Sequence, residues 1–216
     1  MNHGTQYYET AKNSALIVVD LQNDFCPGGA LAVPCGDEIL PAANALLERM
    51  PIAVLTQDWH PLGHVSFASS KGYEPYALDE SKIPPAILWP DHCLAGSKGA
   101  DFHPALRTEF ARLILRKGTR RELDSYSAFF ENDGVTSTGL SAWLSALGVT
   151  SIVLLGLATD YCVKATALDA LSLGFGVDLV IEGMKGVEAA PGDTMKAIET
   201  MTAAGCRLLA LKEILR

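Results

Sequence analysis

A chain of 216 residues with 17 basic and 25 acidic side chains carries a formal net charge of −8. That sign excludes a broad phosphate-binding surface, which needs Lys and Arg to displace counterions, and it argues against docking on anionic membranes. The length suits one domain able to bury a core without disulfides, and the hydrophobic share of 49% and charged share of 19% are those of an ordinary soluble protein.

Residues 1–14 are polar, have no apolar signal core, and are expected to form an extension ahead of a single domain over residues 15–216. No apolar run reaches the ~20 residues that cross a bilayer. The five cysteines, 26, 35, 93, 162 and 206, are odd in number and show no C-x-x-C spacing. A reducing compartment fits them, and the cytoplasm is the expected location.

Residues 15–20, ALIVVD, read as a strand buried on both faces and ending in an acid. Residues 37–50 have helical spacing, with Asp37 placed to cap them. Residues 52–57, IAVLTQ, form a second strand. A stretch dense in Pro, Gly and Ser follows over residues 58–99, far longer than the usual connection of ~4–6 residues. It carries Trp59, Phe67, Tyr73, Tyr76 and Trp89, too many aromatics for a disordered segment, so it reads as ordered and functional.

Residues 103–112 are expected as a helix feeding a strand over 113–117. The remaining pattern is a helix near 137–147, a strand at 151–155, a helix near 160–173, a strand at 177–181, a helix near 191–204 and a strand at 207–211. Alternating strands and helices predict a three-layer α/β/α fold around a parallel six-stranded sheet.

In such sheets ligands bind beyond the carboxyl ends of the strands. Asp20, Asp58, Lys117 and Cys162 all fall there. Cys162 lies where a strand turns into a helix, and backbone N–H groups at that point favour a thiolate or an oxyanion. An isolated cysteine there fits packing as well as chemistry. Beside it, Lys117 lowers the cost of a thiolate and Asp20 can move its proton. A second group, Asp58, His60, His64 and His92, offers imidazole and carboxylate to zinc, iron or manganese; local hydrogen bonding is its plainer reading. Phe25, Trp89 and Tyr126 can form a flat slot for a planar ring, or simply belong to the core.

Six segments make the sequence recognisable: VDLQNDFC at 19–26, QDWHP at 57–61, HVSFA at 64–68, WPDHC at 89–93, DSYSAFF at 124–130 and GLATDYCV at 156–163. In this order they closely resemble the nicotinamidase (pyrazinamidase) branch of the isochorismatase-like hydrolases. The resemblance implies Asp20, Lys117 and Cys162 as a catalytic triad and Asp58, His60 and His92 as ligands of one divalent metal, zinc first and iron or manganese as alternatives. It leaves open whether His64 ligates the metal and whether Ser66 reaches it through water.

The resemblance also implies a cis peptide before Ala158, with the N–H groups of Ala158 and Cys162 as oxyanion donors and Phe25, Trp89 and Tyr126 around the substrate. The implied substrate is nicotinamide, with no nucleic-acid or membrane partner and a homo-oligomer left open. A sister hydrolase acting on carbamoyl or ureido amides would share the triad without needing the metal group. A catalytically silent α/β binding protein would typically have lost one of the six residues.

Overall fold

The computed structural model describes residues 13–82 and 85–216. The strand β1 spans Ser14–Val19, and all six of its residues are buried. Burial of each of its Leu, Ile and Val side chains contributes roughly 1.5–3 kcal/mol, which is why this apolar run occupies the centre of the sheet. Helix α1 spans Leu40–Leu47 and is entered through a 3₁₀ turn at Gly36–Ile39. Strand β2 covers Ala53–Asp58 and is buried throughout. Within the long segment that follows, β3 (Leu78–Asp79) and β4 (Ala86–Ile87) pair antiparallel.

Strand β5 covers Leu113–Lys117, α2 Leu140–Ala146 and β6 Ser151–Leu157. A π-helical turn at Thr159–Val163 leads into α3, Lys164–Ser172. The chain ends with β7 (Gly176–Lys185), α4 (Asp193–Ala203), β8 (Arg207–Leu209) and a short α5 (Leu211–Ile214).

The six-stranded sheet has the order β5-β2-β1-β6-β7-β8, and its neighbours pair parallel. Two buried clusters lie on its faces, one around Leu16, Leu46, Leu55 and Leu157, the other around Ile17, Leu144, Leu154 and Met201. The expected fold class is therefore the one found. The chain winds outward from β1 to β5, returns to β6 beside β1, and winds outward the other way. Between β1 and β6 the winding reverses, and such a switch point opens a crevice at the carboxyl edge.

Four local expectations change. Residues 103–112 form only a 3₁₀ turn at Thr108–Phe110, because Pro104 disfavours helix before it and only Leu106 is buried, so no apolar stripe exists to pack. The helix expected from residue 160 begins as a π-helical turn. Strand β7 runs past residue 181 to pair with the end of β6 beyond an irregularity in the ladder. The last strand stops at Leu209 and a helical turn follows. Residues 1–12 of the expected extension lie outside the described residues, and Ser14, counted with it, opens β1. Among the described residues no helix is long and apolar enough to cross a membrane.

Candidate active site

The crevice at the switch point is lined by the strand ends singled out above. Asp20 directly follows β1, and the turn carrying Cys162 directly follows β6. Asp58 and Lys117, the last residues of β2 and β5, are partners in the ladder. All four side chains are buried.

Lys117 is the hub. Its ammonium has three protons, and three hydrogen bonds use them: to Asp58 Oδ1, to the carbonyl of Ser125 at 3.1 Å and to Cys162 Sγ at 3.3 Å. Asp20 Oδ2 also lies 2.8 Å from Nζ, as an ion pair. Asp20 Oδ1 is already engaged, accepting the Thr56 hydroxyl at 2.6 Å. Carboxylate oxygens of Asp20 and Asp58 and the sulfur of Cys162 all lie within 4.8 Å of one another.

The electrostatics follow from that packing. Burial disfavours the charged form of Lys117, but the carboxylates of Asp20 and Asp58 outweigh it and carry the ammonium well above the usual lysine range. Burial pushes the Cys162 thiol well up, and Lys117 offsets only part of that. Burial also pushes Asp20 up to about 6, with Lys117 opposing and Asp58 adding to the rise. At neutral pH the site thus holds a thiol beside a carboxylate, the pairing in which a base is required.

Next to Asp58 stand two imidazoles. His60 Nε2 is 3.6 Å and His92 Nε2 is 3.9 Å from Asp58 Oδ2. Those separations exceed a hydrogen bond but suit three ligands around one ion with bonds of ~2.0–2.2 Å. Each ring's other nitrogen is held by a backbone carbonyl: His60 Nδ1 by Gly118 at 2.9 Å, His92 Nδ1 by Pro90 at 2.8 Å. This outer support fixes the tautomer and turns both Nε2 atoms toward Asp58.

Gly118 is required for it. Its φ is +60°, and a Cβ there would lie 2.4 Å from the His60 ring. Burial and the nearby His60 push His92 down to about 4, so its imidazole is neutral at pH 7. Asp58, His60 and His92 are all buried, and one ligand-type atom of each lies within 4.8 Å of the others. The donor set fits the metal that the resemblance implies.

His64 stands behind His60, rings stacked at 4.1 Å, with Nδ1 2.7 Å from the Ser66 hydroxyl and Nε2 3.3 Å from the carbonyl of Leu123. Both its nitrogens and the Ser66 hydroxyl are therefore occupied. His60, His64 and Asp124 form an overlapping group of ligand-type atoms, but Asp58, His60 and His92 are the more deeply buried set.

Phe25 packs on His92 with ring centroids 5.5 Å apart, and it shares a buried cluster with Trp89 and Ala158. Trp89 Nε1 donates to Tyr126 Oη at 3.2 Å. The peptide between Leu157 and Ala158 is cis.

Four contributors were given no individual role from the sequence, although Phe67 was named among the aromatics of the long segment. Tyr161 meets the rings of both Trp89 and Tyr126, at 4.9 and 5.7 Å. Its position beside Cys162 was the available signal. Phe67 lies edge-on to His60, His64 and His92, each at 5.5–5.6 Å. Gln22 clamps Asp58 through both backbone groups, each at 2.8 Å. Thr56 orients Asp20. The last two look like ordinary strand or turn residues.

An isochorismatase domain model matches residues 14–213. A nicotinamidase of Escherichia coli (strain K12) is 45% identical over 203 residues, which is 92% of this chain and 95% of the relative. A solved Acinetobacter baumanii nicotinamidase and pyrazinamidase superposes with a TM-score of 0.90 at 43% identity, covering 94% of this chain and 98% of that one. The pyrazinamidase of Pyrococcus horikoshii, solved in complex with zinc, superposes with a TM-score of 0.75 at 38% identity, covering 92% and 99%. On the fold, the matched span and these relatives, the chain belongs to the isochorismatase family and, within it, to the nicotinamidase branch.

Proposed function

We propose that this protein hydrolyses nicotinamide to nicotinate and ammonia through a thioester on Cys162, a step of NAD salvage. One observation carries the reading: Lys117 Nζ, 2.8 Å from Asp20 and 3.3 Å from Cys162 Sγ, also binds Asp58, the carboxylate shared with His60 and His92. The nucleophile and a metal-type donor set thus meet across a single ammonium.

In this scheme Phe25 and Trp89 flank the pyridine ring and Tyr126 closes its edge. Asp20 Oδ2 takes the thiol proton as Sγ attacks the carboxamide carbon. The N–H groups of Ala158 and Cys162 hold the resulting oxyanion. Asp20 returns the proton to nitrogen, the C–N bond breaks and ammonia leaves. Water then attacks the thioester, with Asp20 taking its proton and giving it to the departing sulfur. Lys117 stays an ammonium throughout and balances the changing charge around it.

Asp58, His60 and His92 would hold one divalent ion, zinc foremost, which supplies Lewis acidity toward a heterocyclic nitrogen and toward water. That donor set favours nicotinamide over a carbamoyl or ureido amide, which offers no ring nitrogen. Pyrazinamide keeps a nitrogen meta to its carboxamide and fits the same slot. The reading assigns residues 15–216 to one cytoplasmic hydrolase domain that needs neither nucleic acid nor membrane and that is compatible with a homo-oligomer.

The test is release of nicotinate and ammonia from nicotinamide by wild type, by Cys162→Ala and by wild type stripped with a chelator. Release by wild type alone, regained by the stripped protein on adding zinc, is the expected outcome. Wild-type turnover by Cys162→Ala would refute the thioester. No release by reduced, metal-loaded wild type would direct the search to carbamoyl and ureido amides.

A further inference from the structure

The ladder between β6 and β7 ends at the pair Leu157 and Lys185. Beyond it both chains turn, and Ala158 and Cys162 lie where the sheet no longer holds them. There the Asp160 side chain, only 3% exposed, accepts the N–H groups of Val187 at 3.0 Å and Glu188 at 2.9 Å. A carboxylate thus takes over where strand pairing stops, through two charge-assisted bonds.

The approach is built in on the other side as well. A Cβ on Gly186 would fall 1.9 Å from Thr194 Oγ1 and 3.3 Å from Asp160 Cγ. Glu188 sits at a φ of +55°, and its own carboxylate accepts the N–H groups of Gly192 and Thr194 at the start of α4.

The turn itself is tied together. The N–H groups of Tyr161 and Val163 both donate to the carbonyl of Ala158 at 3.1 Å. Residues 158–163 are therefore tied to one another, and the Asp160 side chain anchors them to the segment after β7. We propose that Asp160 is a positioning residue that aims the N–H groups of Ala158 and Cys162 at the oxyanion. The inference rests on the thioester reading above.

The test compares full-length wild type, Cys162→Ala, Asp160→Asn and Glu188→Gln. Asn has one acceptor oxygen, and its NH₂ group would face an N–H. Asp160→Asn is expected to lower kcat at least tenfold with KM within threefold. Pyridine-3-carboxaldehyde, whose carbonyl adds the Cys162 sulfur to give a tetrahedral oxyanion, is expected to bind at least tenfold more weakly. Alkylation of Cys162 by iodoacetamide displaces iodide without forming an oxyanion, and its rate is expected to stay within threefold.

Glu188→Gln loosens the start of α4 and is expected to lower Tm while kcat stays within twofold. The proposal fails if Asp160→Asn keeps kcat within threefold of wild type. It also fails if Glu188→Gln, at an equal loss of Tm, reproduces both the kcat and the aldehyde losses. Should Asp160→Asn prove insoluble, the same readouts on Asp160→Glu, whose longer arm displaces the turn, decide in the same way. Wild type inactive on nicotinamide, or Cys162→Ala active, would instead remove the thioester reading on which this one stands.

Discussion

Asp20, Lys117 and Cys162 stand at the ends of three sheet strands, whereas His60, His92 and Trp89 hang from a segment whose own ladder is one pair of two-residue strands. The first group is placed by register: Asp58 opposes Lys117, and Val19 opposes Gly156. The second is placed one bond at a time. The N–H of His60 donates to the carbonyl of Cys93 at 3.0 Å, that of Ala95 to His60 at 2.9 Å, that of Trp89 to Ser66 at 2.8 Å and that of Ala68 to Trp89 at 2.8 Å. Phe67 then packs against His60, His64 and His92. Strand-end groups are thus coupled to the stability of the sheet, while loop-borne groups are coupled to local bonds and to whatever ion they hold.

Lys117→Met breaks the strand-end half and carries the largest expected effect. It leaves the carboxylates of Asp20 and Asp58 buried without their cation, a loss of about 3–5 kcal/mol when one partner of a buried pair is removed. Urea denaturation of the metal-free protein reads it. Turnover is expected to fall by ~1,000-fold or more, because members of the proposed triad would act as a unit. A stable Lys117→Met protein with ordinary turnover would remove Lys117 from the centre of the site.

His92→Ala breaks the loop-borne half. It is expected to weaken metal binding by roughly 100-fold, measured by competition with a chelator, and turnover at limiting metal should fall with it. Its effect on the stability of the metal-free protein should be smaller than that of Lys117→Met, since no buried charge loses its partner. Equal destabilisation by the two variants would erase the distinction between the halves.

The same division governs what the sequence reveals. Buried β-branched runs mark β1 and β2, and their ends give Asp20 and Asp58, so the strand-end group was legible from pattern and resemblance together. Cys162 was located in the same way, although the π-helical form of its turn carries no compositional mark. The proposed ligands His60 and His92 were legible only as a spaced motif, because no periodicity places a loop.

Gln22 and Thr56 were missed for a different reason. Their work is hydrogen bonding to Asp58 and Asp20 across 36 positions of chain, and a polar residue in a strand or turn does not announce its partner. The helix expected at 103–112 failed where spacing was read without asking what the stripe would pack against.

The smallest effect tests the strand-end half most finely, through pH. Asp20 is pushed up to about 6 by burial, with Lys117 opposing. As the base, it must be ionised, so kcat/KM should fall about tenfold per pH unit below pH 6 and level off above it. Thr56 donates its hydroxyl to Asp20 Oδ1 at 2.6 Å and so stabilises the charged form. Thr56→Val keeps the shape and removes that donor, so the proton is held more tightly and the acid limb moves upward. A lost hydrogen bond to a charged group is worth about 1.5 kcal/mol, which corresponds to about one pH unit. Thr56→Ser keeps the hydroxyl and should keep the limb near pH 6. If Val and Ser variants shared one limb, the hydroxyl would be packing against Asp20 without tuning it, and the base would have to be sought elsewhere. If Val moved the limb upward and Ser did not, a residue two positions before a proposed metal ligand would be setting the charge of a base carried by the neighbouring strand.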